Sequence, residues 1–97
     1  MAKLNQSEVN EHLAALDGWK LDGESITKTF KFKDFSEAWD FMNQVAVIAD
    51  KELNHHPDWS NAYNQVDIRL TTHDEGGLTD KDFRLAQTAN KIASSLD

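Results

Sequence analysis

Cysteine is absent from this 97-residue chain. That excludes disulfides, thiolate nucleophiles and thiolate metal sites together, and leaves His, Asp and Glu to carry any polar chemistry. Proline occurs once and glycine four times, and no low-complexity stretch interrupts the sequence. With 39% hydrophobic residues, residues 1–97 are expected to form one compact domain around one core. Cations are scarce: 10 basic against 17 acidic side chains give a formal net charge of -7, and the lysines are scattered. A phosphate backbone is repelled by such a surface, so direct nucleic-acid binding is not expected. No apolar run is long enough to span a bilayer, and Met1-Ala2-Lys3-Leu4-Asn5 lacks the apolar stretch of a signal peptide, so a cytoplasmic location is expected. Gly-x-Ser-x-Gly and His-Glu-x-x-His are both missing, and Gly76-Gly77 has neither the lysine nor the spacing of a phosphate-binding loop.

What is present is a quick succession of patterned segments. Ser7, with Glu8 and Glu11 behind it, reads as a helix start, and Val9, Leu13 and Leu16 keep helical spacing up to Asp17-Gly18. Trp19 and Leu21 alternate with polar neighbours, Asp22-Gly23 reads as a turn, and Ile26 to Phe32 alternates again, which predicts a hairpin. Asp34 with Glu37 resembles a capping box, and Ala38, Met42, Val45, Ala49 and Leu53 then recur at three- and four-residue steps in the longest helix. Pro57 is expected to stop that helix near His56. Trp59 to Tyr63 and Val66 to His73 read as a second strand pair around Asn64-Gln65. Thr79 then caps a last helix striped by Leu85, Ala89, Ile92 and Leu96. The order α-β-β-α-β-β-α predicts an α+β fold, with three helices packed on one face of a four-stranded antiparallel sheet and the other face partly open. An open face or an unpaired edge strand favours self-association, so a homodimer or homotetramer is expected.

Polar function is concentrated between Lys51 and Trp59, where Asn54, His55, His56 and Asp58 crowd a helix-to-strand joint. A third imidazole, His73, ends the last strand, and Asp82 opens the helix beyond it. Taken singly, each has a simple structural explanation. Histidines suit the negative end of a helix dipole, an acid suits a first helical turn, and Trp19, Trp59 and Tyr63 are candidates for core or interface. His12 is expected at the surface. Zinc ligation by His55, His56, His73 and Asp82 is the rival arrangement, but adjacent histidines at a helix end splay apart and the usual ligand spacings do not occur. No metal site is therefore expected.

Jointly, Lys51-x3-His55-His56-Pro57-x5-Tyr63-x9-His73-x8-Asp82 resembles the signature of the pterin-4a-carbinolamine dehydratases. Phe32-Lys33-Asp34-Phe35 and Thr71-Thr72-His73 are similar to that family as well. The resemblance runs from about Trp19 to the last helix. It implies removal of water from 4a-hydroxytetrahydropterin to give quinonoid dihydropterin, after aromatic amino acid hydroxylation, by a dimer or tetramer without metal or organic cofactor. It also implies that His55, His56 and His73 contact or transform the substrate and that Asp82 supports them. Histidine titrates near neutrality and suits such proton exchange. The expected division gives His55 and His73 the two protons and His56 the holding of the ring. Asp82 is expected to fix the tautomer of His73, and Trp59, Asn54, Tyr63 and Trp19 to contact the pterin. Lys51 departs from the glutamate that animal members often carry at that position, and Glu52 lies on a different helical face. Animal members also bind a homeodomain transcription factor through their helices, so the alternative is a non-enzymatic binding module acting as a dimerisation or co-activator partner.

Overall fold

The computed structural model describes residues 2–96, and its elements follow from local side-chain chemistry. Helix α1 (Gln6–Ala14) is opened by Asn5, whose side chain accepts the Glu8 N–H at 2.9 Å while the Glu8 carboxylate accepts the Asn5 N–H at 2.9 Å. This reciprocal box puts the cap two residues before Ser7, because an amide at residue 5 faces a glutamate at the third helical position. Strands β1 (Lys20–Asp22) and β2 (Ser25–Lys31) form a hairpin whose tight turn is made by Gly23 at φ +62° and Glu24. The Asp34 carboxylate accepts the Glu37 N–H at 2.9 Å and opens helix α2 (Phe35–Val47).

Regular α2 stops well short of Pro57. From Ile48 to Glu52 it widens into a π-helical turn, and Asn54 then adopts the left-handed φ of +47°. The helix is therefore ended by a left-handed amide residue, and the proline follows that end. Strands β3 (Asp58–Ala62) and β4 (Gln65–Leu70) form the second hairpin. β4 is shorter than its alternation suggests: it stops at Leu70, a Thr72–Gly77 bridge closes the loop, and His73 begins a 3-10 turn ended by Gly76 at φ +74°. Helix α3 (Asp80–Ser95) completes the order α-β-β-α-β-β-α.

The antiparallel sheet runs β1-β2-β4-β3, so the two hairpins meet through their second strands, from Ile26 opposite Leu70 to Lys31 opposite Gln65. Ile26, Phe30, Val66, Ile68 and Leu70 are buried on the face the helices cover, whereas Thr29, Lys31, Asp67 and Arg69 stand exposed on the other. The expected half-covered sheet is what forms. The core centres on Phe41 of α2, whose ring lies 4.8 Å from that of Phe30 and 4.9 Å from that of Phe32, and Leu85, Ala86 and Ala89 of α3 are buried in the same cluster. Among the described residues no helix is long and apolar enough to cross a membrane.

Because Phe41 is fully buried and joins the rings of Phe30 in β2 and Phe32 just beyond it to α2, Phe41→Ala is expected to cost about 3–5 kcal/mol. Urea unfolding followed by tryptophan fluorescence measures it, and a loss indistinguishable from a surface substitution would contradict this packing.

Candidate active site

The joint between α2 and β3 decides where the two adjacent imidazoles go. Leu53 N–H reaches the Ile48 carbonyl at 3.0 Å and His55 N–H reaches the Ala49 carbonyl at 2.9 Å, both longer loops than an α-helix makes. With Asn54 left-handed, the chain folds back over the helix end and the neighbouring side chains diverge. His55 turns inward, its side chain 12% exposed, while His56 turns outward at 62%.

Inward, His55 meets Asp82. The Asp82 carboxylate is completely buried, with Oδ1 2.5 Å from His55 Nε2 and Oδ2 accepting the Thr72 hydroxyl at 2.8 Å and the Thr79 N–H at 2.9 Å. The hydroxyls of Thr72 and Thr79 lie 2.8 Å apart; since Thr72 gives its one proton to Asp82, Thr79 donates to Thr72. A carboxylate sealed from water is costly unless its lone pairs are met. Here three donors meet them, and the N-terminus of α3 adds its positive dipole end. Among the described residues no buried side-chain polar atom lacks a partner. Because a carboxylate only accepts, the hydrogen bond places the His55 proton on Nε2 and leaves Nδ1 as the nitrogen available for exchange.

This network corrects one expectation. Asp82 orients His55, not His73, because the 3-10 turn carries the side chain of His73 to the surface while its neighbour Thr72 turns in to the carboxylate. His73 nevertheless stands one residue from that network.

Outward, His56 Nε2 lies 3.0 Å from Asp50 Oδ1, on the widened turn of the preceding helix, and Lys51 Nζ lies 3.6 Å from Asp50 Oδ2. The hydrogen bond with His56 is the chief influence holding the Asp50 carboxyl below its usual range; burial opposes it as the next largest effect, and the charge on His56 and the Lys51 ammonium add smaller downward effects.

The remaining residues singled out by sequence separate. Asn54 is exposed on the turn itself, and Trp59 is half-buried just after it, packed against the core. Tyr63 is exposed at the β3–β4 turn with φ +53°, at the far end of β3 from the histidines. Trp19 is only 5% exposed and stands edge-on to Phe30, its indole N–H donating to Asn90 at 3.0 Å. Asn90 lies about 12 Å along α3 from Asp82 at 1.5 Å per residue, so Trp19 is taken up by the core away from this turn. Among the described residues no three His, Asp or Glu side chains come together in a cluster able to hold a metal ion. A concavity of about 690 Å³ lies on the open sheet face, lined by Thr27, Thr29, Asp58, Ser60, Asp67 and Arg69 among others, and none of the three histidines lines it.

Sequence reasoning overlooked Thr72, Thr79 as a network member, and Asp50. Thr72 carried a signal, since it is the one hydroxyl in line with Val66, Ile68 and Leu70. Thr79-x-x-Asp82 carried another, as the spacing of a reciprocal cap. Asp50 carried none, because six residues do not bring side chains together on a regular helix.

The family model of pterin 4 alpha carbinolamine dehydratase matches residues 2–92. A Brucella ovis protein named "Putative pterin-4-alpha-carbinolamine dehydratase" is 57% identical over 93 residues, which are 94% of this chain and 95% of the relative. The solved structure of a transcriptional coactivator/pterin dehydratase from Brucella melitensis superposes with a TM-score of 0.90 at 56% identity, covering 94% of this chain and 98% of that one. A pterin dehydratase-like protein described as a RuBisCO assembly factor in the alpha-carboxysome shares the fold at a TM-score of 0.68 and 20% identity, over 78% of this chain and 89% of its own.

Removing the buried carboxylate leaves the Thr79 N–H and the Thr72 hydroxyl without their acceptor. Asp82→Ala is expected to lower unfolding free energy by about 3 kcal/mol and Thr72→Val by about 1 kcal/mol. Denaturant titration measures both, and an unaltered midpoint in Asp82→Ala would contradict the network.

Proposed function

The chain belongs to the pterin-4a-carbinolamine dehydratase family and is therefore a hydro-lyase, and on that premise we propose that His55, held by Asp82, and His73 carry the proton exchange of the dehydration. In the substrate, water leaves from the 4a position. A proton goes to the 4a-hydroxyl oxygen, the C4a–O bond breaks, the N5 lone pair closes a C4a=N5 double bond, and the N5 proton departs to a base. One donor and one acceptor near neutral pH meet that demand.

The observation that carries this assignment is the 2.5 Å contact from His55 Nε2 to a fully buried carboxylate. With its proton fixed on Nε2, His55 presents the Nδ1 lone pair as the base for N5–H, and the adjacent Asp82 charge stabilises the imidazolium that forms. His73, exposed on its 3-10 turn, delivers the proton to the departing hydroxyl. His56 holds the ring, Asn54 offers an amide, and Trp59 supplies an apolar edge. In this reading Trp19 is structural, and Tyr63 lies too far along the hairpin to touch the same ring. The pterin is neutral, so the chain's negative charge does not oppose its binding. In the cytoplasm such an enzyme returns pterin to the cycle that supports aromatic hydroxylation.

A second reading has its own observation. On the outer side of α2, Phe35 and Trp39 stack with ring centroids 6.3 Å apart and remain 47% and 51% exposed, and Val47 further along is 57% exposed. Large apolar side chains left open in this way mark an association surface, which fits a homodimer or homotetramer and also a partner-binding role.

Two outcomes are expected. Purified protein accelerates decay of freshly prepared 4a-hydroxytetrahydropterin, and His55→Ala and His73→Ala each lower kcat by about 10²-fold with the fold intact by circular dichroism, while His56→Ala acts mainly on KM. Full activity in folded His55→Ala overturns the assignment. Trp39→Glu is expected to lower the mass seen by sedimentation without changing the monomer's fold; an unchanged assembly removes α2 from the interface.

A further inference from the structure

We propose that Asp50 is a positioning residue for His56, fixing one nitrogen of that ring so that the other faces the pterin. The inference deepens the functional reading above and rests on its assignment of His56 to substrate holding.

Geometry carries it. Six residues along a regular α-helix turn through about 600°, which leaves side chains 50 and 56 on different faces. They meet at 3.0 Å because the chain widens into the π-helical turn at Ile48–Glu52 and reverses at Asn54. π-turns recur at functional sites, and this one has a definite product: it aims the Asp50 carboxylate at His56 Nε2.

The arrangement repeats the one at His55. Each of the two neighbouring imidazoles has Nε2 against an aspartate, Asp82 for His55 and Asp50 for His56, so each keeps Nδ1 free. The difference is depth. Asp82 is sealed and ties the fold together, whereas Asp50 and His56 have side chains 55% and 62% exposed. An exposed pair contributes little to folding, so stability does not account for this second contact, although the turn also sends His55 to Asp82. What remains is orientation of a ring that solvent, and a bound pterin, can reach. Two charged groups face Asp50, namely His56 at Oδ1 and Lys51 at Oδ2. Among the described residues no charged side chain of another element lies within ion-pair distance of it.

Long-range proton–nitrogen NMR correlations of the imidazole rings, with titration of a stable 7,8-dihydropterin, test the proposal. In the unaltered protein, neutral His56 is expected as the Nε2–H tautomer. Asp50→Ala moves it toward a tautomer mixture, leaves the His55 ring signals in place as a control for the fold, and weakens dihydropterin binding about two- to fivefold, the range open to an exposed charged contact. Asp50→Glu restores part of both effects, and Lys51→Ala reproduces neither. An unchanged His56 ring in Asp50→Ala overturns the proposal, as does an altered ring with unaltered affinity. Failure of the unsubstituted protein to bind dihydropterin overturns the functional reading itself, and is distinct from a binding protein that ignores Asp50.

Discussion

A carboxylate shut away from water has to be supplied with donors, and the burial of Asp82 imposes that demand on three separate stretches of chain. Its oxygens take hydrogen bonds from the turn before β3, from the loop after β4 and from the first residue ahead of α3. His55 comes from a different joint of the chain than Thr72 and Thr79, which lie seven residues apart between β4 and α3, and their apolar neighbours Leu53, Leu70 and Leu78 are buried in the core. The hydrophobic cluster around Phe41 brings helices and sheet together, but it is non-directional and sets no side-chain angle. The directional requirement comes from the carboxylate, which fixes a nitrogen of His55 and leaves His73 one residue from an anchored threonine.

The same economy governs the helix end. If α2 continued as a regular helix to Pro57, His55 and His56 would project about 100° apart from one surface, and neither would be directed at its carboxylate. The π-turn and the left-handed Asn54 separate them into an inward and an outward ring. One small distortion thus yields two imidazoles with the same nitrogen engaged and different degrees of exposure. That difference suits the two tasks proposed for them, a shielded base whose charge a neighbour stabilises and an accessible group for the ring.

Much of this was legible in the residues. Alternation in Ile26 to Phe32 and in Val66 to Leu70 gave the sheet and its buried face, and the spacing of Ala38, Val45 and Ala49 gave α2. Apolar periodicity reports which side of an element is covered, and that is decided by the core. The ends were less legible, for reasons that differ. Asn5 rather than Ser7 opens α1 because two cap-forming residues compete and the winner is the one facing Glu8. β4 stops before His73 because the bridge from Thr72 to Gly77 is a tertiary closure that alternation does not encode. For the site, residue types and joint spacing singled out His55, His56, His73 and Asp82, but pairing Asp82 with His73 followed nearness in sequence. The partner is set by which side chain the turn directs inward, and a backbone reversal at Asn54 is not written in any periodicity.

The central claim is that Asp82 and His55 act as one unit in the dehydration, and a double-mutant cycle on the single-turnover rate tests it most directly. Coupling through one hydrogen bond predicts that Asp82→Asn slows the native enzyme but costs nothing further once His55 is alanine, in variants verified as folded. Losses that simply add would contradict the account, since two residues contributing independently to the rate are not a carboxylate acting through its imidazole.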